Sequence, residues 1–242
     1  MNTKMKTLAM AVVGLVGFGA AGAAMAQCPA SLVPPWSSTS TLGGSLASVS
    51  GGLDGSACKL AASITLNGPG VNAFVRDNTP ANEQRYRAQF IINADALGTV
   101  NSLQSVKILG ASTDAPANGV SDDVRLTLFG NISGSSKVLG IFTVCAGQPG
   151  NLCSATTTLA AGNNTVEIDW VKGASGSLKV WVNNNDENSQ TLTLNGDSSP
   201  WGGVDFAVLG LSTPSPGFRS AHLNQVVNFD RFDSRRQTFI GF

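Results

Sequence analysis

The sequence predicts an all-β fold, an antiparallel two-sheet β-sandwich, on three observations. From residue 40 onward, short β-branched or aromatic runs are separated by clusters of Gly, Asn, Asp, Ser and Pro. Several of these runs alternate apolar and polar residues with the period of a strand: in Val166-Glu167-Ile168-Asp169-Trp170 the apolar side chains share one face and both carboxylates the other. No window sustains the 3.6-residue apolar stripe of a long helix.

The elements follow in chain order. Residues 1–26 read as a secretory leader: Lys4 and Lys6 supply a positive start, the stretch from Leu8 to Ala23 is apolar, and Ala24-Met25-Ala26 fits a cleavage site. Residues 27–56, rich in Ser, Thr, Pro and Gly, are expected to form an arm and a first strand. The sandwich is expected over 57–242, with strands at 57–65, 72–77, 85–94, 103–110, 124–131, 136–145, 155–160, 164–172, 177–183, 189–195, 204–211 and 225–233. Turn chemistry marks the breaks, as in Asn67-Gly68-Pro69-Gly70 and Gly147-Gln148-Pro149-Gly150. In Tyr86–Ile92 alternation gives way to a continuous apolar run, which fits a strand buried on both faces in its second half. With no internal repeat, a propeller is not expected.

Charge narrows the function classes. Charged residues make up 12% of the chain, about half the roughly 25% usual in soluble proteins. Fifteen basic and fifteen acidic groups cancel; loss of the leader takes Lys4 and Lys6 and leaves a net charge of about −2. Nucleic acid is therefore not an expected partner, since such binding needs a basic excess. A single histidine excludes a multi-histidine zinc centre. No segment after the leader is apolar for long enough to span a bilayer, so no integral membrane protein is expected. Cys28, Cys58, Cys145 and Cys153, an even set in an exported chain, predict two disulfides with three connectivities open. Proximity favours Cys28–Cys58 and Cys145–Cys153, the latter stapling a turn-rich loop between two strands.

Asn164–Asn183 is the most recognisable segment. Its Val-Glu-Ile-Asp-Trp run, Gly/Ser turn and Ser-Leu-Lys-Val-Trp-Val-Asn run resemble the consecutive strand pair of concanavalin A-like and laminin-G-like sandwiches. Val226-Val227-Asn228-Phe229-Asp230-Arg231-Phe232-Asp233 resembles their closing strand. Val75–Asn78 through Arg85–Phe90 is similar to an early strand pair in secreted bacterial proteins of this type. The resemblance spans most of 57–236 and implies a concanavalin A-like jelly roll. It does not single out a function, because this sandwich hosts lectins, hydrolases, lyases and adhesive modules.

Glu167-x-Asp169 resembles the paired-carboxylate motif of sandwich glucanases, but the later acid position holds Val171 or Lys172. Retaining hydrolysis needs two carboxyls about 5–5.5 Å apart, and i, i+2 residues on a strand stand roughly 6–7 Å apart. A polar outer strand face is the simpler expectation. A lyase needs a proton acceptor beside its uronate, often His or Tyr with Arg and Gln nearby, and the chain holds only His222 and Tyr86. Trp36 and Trp201, in Pro-Pro-Trp-Ser and Ser-Pro-Trp-Gly loops, are candidates for stacking on a sugar, and Asn184 and Asp186, in a separate oxygen-rich turn, are candidate ligand contacts. A structural Ca2+ is a candidate cofactor, with Asp77 and Asp230 as candidate ligands. Phe239 and Phe242 are expected to pack the tail onto the sandwich or to meet a partner. These observations lead to an exported, secreted or periplasmic, non-catalytic binding module for a glycan or matrix polymer. The alternatives are a polysaccharide-active hydrolase or lyase, with Glu167, Asp169 or His222 at its site, and a self-assembling surface protein.

Overall fold

A computed structural model describes residues 28–117, 119–131, 136–235 and 237–241. The expected leader and Phe242 lie outside the described residues. Among the described residues fourteen strands form two antiparallel seven-stranded sheets, packed as a sandwich. Sheet I has the order β1 (Ser38–Ser40), β4 (Ala73–Asp77), β13 (Phe206–Ser212), β6 (Val106–Ala117), β7 (Val120–Gly130), β8 (Lys137–Val144), β9 (Leu152–Leu159). Sheet II has the order β12 (Leu192–Gly196), β11 (Gly176–Val182), β10 (Asn164–Val171), β5 (Arg85–Asn93), β14 (Val226–Arg235), β3 (Cys58–Ile64), β2 (Gly44–Ser50). All twelve expected strands are present, and the architecture is the jelly-roll sandwich that the sequence predicts.

The period-two pattern decides which side chains meet between the sheets. Val166, Ile168 and Trp170 of β10 join Phe90 and Ile92 of β5, Leu126 and Leu128 of β7, and Leu209 of β13 in one buried core. Two edge strands, β1 and β2, come from the segment expected as an arm, so the arm is woven into both sheets. The one α-helix among the described residues, α1 (Pro216–Ala221), starts from Ser215, whose Oγ accepts from the Phe218 N–H.

Both favoured disulfides form. Cys28–Cys58 ties the start of the described chain to β3, and Cys145–Cys153 closes the β8–β9 loop. Disulfides persist in oxidising compartments, which points outside the cytoplasm. Among the described residues no helix is long and apolar enough to cross a membrane.

Candidate functional site

The outer face of sheet I carries a groove of about 490 Å³. One row of paired residues crosses its strands: Arg76 on β4 faces Val208 on β13, Val208 faces Gly110 on β6, Gly110 faces Arg125 on β7, and Arg125 faces Phe142 on β8. Neighbours in this row alternate with core residues along each strand, so they point outward. A guanidinium stands over an aromatic ring at each end: Arg76 lies 3.5 Å from the Phe206 ring centre, and Arg125 lies 4.4 Å from that of Phe142.

Gly110 keeps the floor low. A Cβ there would lie 3.2 Å from Asp122 Oδ1, 3.3 Å from Val208 and 3.4 Å from Lys107 Nζ. Lys107 therefore lies across the glycine, and its Nζ donates to both Asp122 oxygens at 3.1 and 3.0 Å. Ser112 Oγ donates to Asp122 Oδ1 at 2.8 Å. A register shift between Ala111 and Ser112 brings Asp122 beside Ser112, within reach of Lys107. Lys107 and Asp122 are each 15% exposed, enough to reach solvent and enough burial to strengthen their attraction. Arg219 of α1 lines the same groove, with its Nη1 donating to Pro214 O. The result is an open trough with three cationic side chains and one ammonium–carboxylate pair.

Asp123, next to Asp122, turns the other way. It is fully buried, and neither carboxylate oxygen has a hydrogen-bond partner. Burial, reinforced by the neighbouring Asp122 and Asp205 against an opposing pull from Lys172, pushes its carboxyl up to about 8.

The residues expected from sequence fall elsewhere. Trp36 is half-buried against Phe232, with ring centres 4.9 Å apart, and lines a separate cavity of about 530 Å³ together with Asp77 and Asp230. Trp201 is 2% exposed and belongs to the core, so it presents no face to a sugar. Asn184 and Asp186 sit on the β11–β12 turn, and their side chains close that turn: Asn184 Oδ1 accepts from Asp186 N, and the Asp186 carboxylate accepts from Asn188 N and Ser189 Oγ.

Asp77 and Asp230, the candidate calcium ligands, each accept hydrogen bonds from protein groups. Asp77 accepts from Thr79 N and Oγ1, while Asp230 accepts from Leu53 N, Ser56 Oγ and Arg231 N. Among the described residues no three His, Cys, Asp or Glu side chains converge on a metal position.

The enzyme candidates from sequence are also held in structural roles. His222 is buried, each ring nitrogen 3.0 Å or less from a glutamine oxygen, Gln225 on one side and Gln104 on the other. Tyr86 is buried in the core, and burial holds its hydroxyl well above the usual phenol range. Glu167 and Asp169 do share one outward face, as alternation requires, but both are buried rather than solvated. Asp169 takes a bidentate pair from Arg85 at 2.9 and 2.8 Å and a third bond from Arg87 at 2.9 Å. Burial opposes its charge, and the hydrogen bonds from Arg85 and Arg87 outweigh burial to keep its carboxyl below the usual range.

Sequence reasoning picked out Asp122 only as part of an oxygen-rich stretch, Ser121-Asp122-Asp123, that could suit calcium, and did not single out Arg76, Lys107, Gly110 or Arg219 as site residues. The available signal was an isolated glycine inside an apolar run, Gly110 in Ile108-Leu109-Gly110-Ala111, which marks a place where another group approaches the backbone.

Known proteins resemble this chain in shape, not in sequence. No protein-family model matches it, and no curated protein matches it in sequence. An endo-β-1,4-glucuronan lyase from the fungus Trichoderma reesei is similar with a TM-score of 0.63 and 13% identity, over 85% of this chain and 92% of that one. The alginate lyase Aly36B, in complex with an alginate trisaccharide, matches at 0.55 with 9% identity, over 74% and 82%. The cellulose-induced protein Cip1 matches at 0.52 with 15% identity, over 84% and 89%. At such identities the likeness is one of fold. It agrees with the jelly-roll fold that the strand motifs imply. These neighbours also correct the leading expectation of a non-catalytic binding module. They are mainly polysaccharide lyases, and they favour the enzyme alternative.

Proposed function

We propose that this protein is an exported polysaccharide lyase that cleaves a uronate-containing polymer by β-elimination in the groove of sheet I. The observation that carries the reading is the Lys107–Asp122 pair, laid over Gly110 and flanked by Arg76. The lyase neighbours support it through the fold.

The chemistry needs three functions. A cation must neutralise the uronate carboxylate so that the adjacent C5 proton can leave; Arg76, fixed over Phe206, has the planar donor set for that task. A base must take the C5 proton, and Asp122 is the carboxylate in the groove. An acid must protonate the departing O4, and Lys107 is the adjacent ammonium. The C5–H and C4–O bonds break and a C4=C5 double bond forms. Asp122 gains the proton that C5 loses, and the leaving oxygen takes one from Lys107. Proton transfer back from Asp122 to Lys107 restores the pair. No water enters the bond that breaks. Arg76, in the trough, and Arg125, beyond its lining on the same face, stand three strands apart on one row, or roughly 14 Å at the usual strand spacing, so this face suits a length of polymer rather than a monosaccharide.

The test is digestion of glucuronan and of alginate, followed by ultraviolet absorbance of the unsaturated uronate product. Absorbance that rises with the natural protein and is lost in Lys107→Ala and Asp122→Asn is the expected result. New reducing ends without absorbance would make the protein a hydrolase, and no product from any uronate polymer would remove the reading.

A further inference from the structure

The outer face of sheet II holds a second constellation, which the groove chemistry does not use. Strand register sets Glu167 between Gln89 and Trp181, and Asp169 between Arg87 and Lys179. Groups on the outside of a sandwich are ordinarily solvated, yet Arg87, Gln89, Glu167, Asp169 and Trp181 are all buried. Part of their cover is the chain's own C-terminal segment. The Phe239 ring packs edge-on against Trp181 with centres 5.4 Å apart, and the Arg87 guanidinium lies 5.6 Å from each ring. The Ile240 and Gly241 N–H groups each donate to one oxygen of Glu167 at 3.0 Å.

Two features give this face more binding capacity than the tail uses. Arg87 Nη2 serves Asp169 at 2.9 Å and Glu187 at 2.8 Å, but its Nε and Nη1 are buried without a partner. A buried guanidinium with idle donors lacks acceptors that a ligand would bring. The Trp181 ring is also already oriented, because its Nε1 donates to Asp186 O at 3.1 Å. The tail's hold is small by comparison. Among the described residues it consists of the Phe239 ring, set against Trp181 and Arg87, and two parallel N–H donors, and the preceding Gln237 and Thr238 are exposed.

A pyranose offers the same pattern. Its C–H face stacks on an aromatic ring, and a pair of neighbouring hydroxyls donates to a carboxylate as the two N–H groups do. It adds what the tail lacks, hydroxyl and ring oxygens that accept from the idle Arg87 nitrogens. We propose that the Trp181–Glu167–Arg87 face is a sugar-binding site, closed in the free protein by Phe239–Gly241 and opened when a polysaccharide displaces them. The site lies on the sheet opposite the groove, so it holds polymer and does not cleave it. It rests on the lyase reading only for the choice of polymer.

The experiment is a tryptophan-fluorescence titration with glucuronan and alginate tetrasaccharides. Three full-length proteins are compared, all carrying Lys107→Ala to stop turnover: the otherwise natural chain, Phe239→Ala, and Phe239→Ala with Glu167→Gln. Opening the face should give Phe239→Ala a binding event at least tenfold tighter than that of the natural chain, with altered emission. Glu167→Gln should abolish that gain. Ile240→Pro, which deletes one N–H donor, should reproduce it by a second route. No gain in either tail variant, or a gain that survives Glu167→Gln, overturns the proposal. So does binding of a synthetic tail peptide to Phe239→Ala without binding of sugar, since that would make the face a peptide seat. Because the titration reads binding in a turnover-blocked protein, its outcome is separate from that of the lyase assay.

Discussion

Replacing Asp123 with asparagine should stabilise the protein, by an amount that grows with pH. Asp123 is fully buried, its oxygens lack partners, and its carboxyl is pushed up to about 8. In the unfolded chain the same group titrates near 3.9. Below about pH 4 both states hold the proton, and the raised folded value contributes its full stability there. Between about 4 and 8 the folded protein keeps a proton that the unfolded chain has released, so stability falls as pH rises; above about 8 the loss is complete. Each pH unit in that window is worth about 1.36 kcal/mol. From pH 4.5 to 7.5 the natural protein should therefore lose about 3–4 kcal/mol relative to Asp123→Asn, which has no proton to lose. For a domain of this size 1 kcal/mol moves Tm by about 2–4 °C, so the gap in Tm should widen by on the order of 10 °C. Thermal unfolding of both proteins at the two pH values, followed by circular dichroism, measures it. Other titrating groups cancel in the comparison. A Tm gap that stays constant with pH would refute the assignment of a buried, protonated Asp123.

Three further outcomes follow from the geometry. Lys107→Ala or Asp122→Asn should lower lyase turnover by about 10²–10⁴-fold, with thermal stability within about 1 kcal/mol of the natural protein because the pair is partly exposed; turnover within threefold of natural would exclude the pair. Gly110→Val should remove activity by filling the floor where Lys107 crosses, since even a Cβ there stands 3.2–3.4 Å from three groups; an active Gly110→Val protein would show that substrate binds elsewhere. Replacing Cys145 and Cys153 with alanine opens a loop whose ends are 8 residues apart and should cost about 2–3 kcal/mol by chain entropy, read as a lower denaturant midpoint; an unchanged midpoint would mean that the loop is held by its other contacts.

The fold was legible because the sandwich reuses one local rule. Period-two alternation in β10 and β7 announced both strand and inward face, and turn residues marked most boundaries. The edge strands β1 and β2 were harder to read, because Ser38–Ser40 and Gly44–Ser50 are serine- and glycine-rich, and at an edge a strand needs little apolar side chain. The groove was illegible for a topological reason. Its residues come from β4, β6, β7, β13 and α1, and only the sheet order brings Arg76, Lys107, Asp122 and Arg219 together. The Asp122 position depends further on a bulge that no pattern predicts. Trp201 misled because a Pro-Trp-Gly context reads as a loop, whereas burial depends on what packs over it. Glu167 and Asp169 were placed correctly on one outward face, but their cover comes from the far end of the chain.

That cover bears on how this protein spends its charge. With only 12% charged residues, most could sit in water, yet Arg87, Asp123, Glu167 and Asp169 are all buried. Burying a charge costs several kcal/mol unless it is paired, and an apolar replacement of similar volume is often more stable. Fold stability therefore does not explain why sheet II buries an arginine and two carboxylates on its outer face, where Val or Thr would complete the strands as well. Asp169 is fully served by Arg85 and Arg87 and fits a structural pair. Glu167 does not, because it accepts from two backbone N–H groups of the C-terminal tail, and Arg87 keeps donors idle beneath the same tail. Sheet I shows the complementary arrangement, with Lys107 and Asp122 paired where solvent and a polymer can reach them. Charges that are paired but reachable on one sheet, and incompletely paired under a displaceable segment on the other, are the pattern expected of a protein with polymer contacts on both faces.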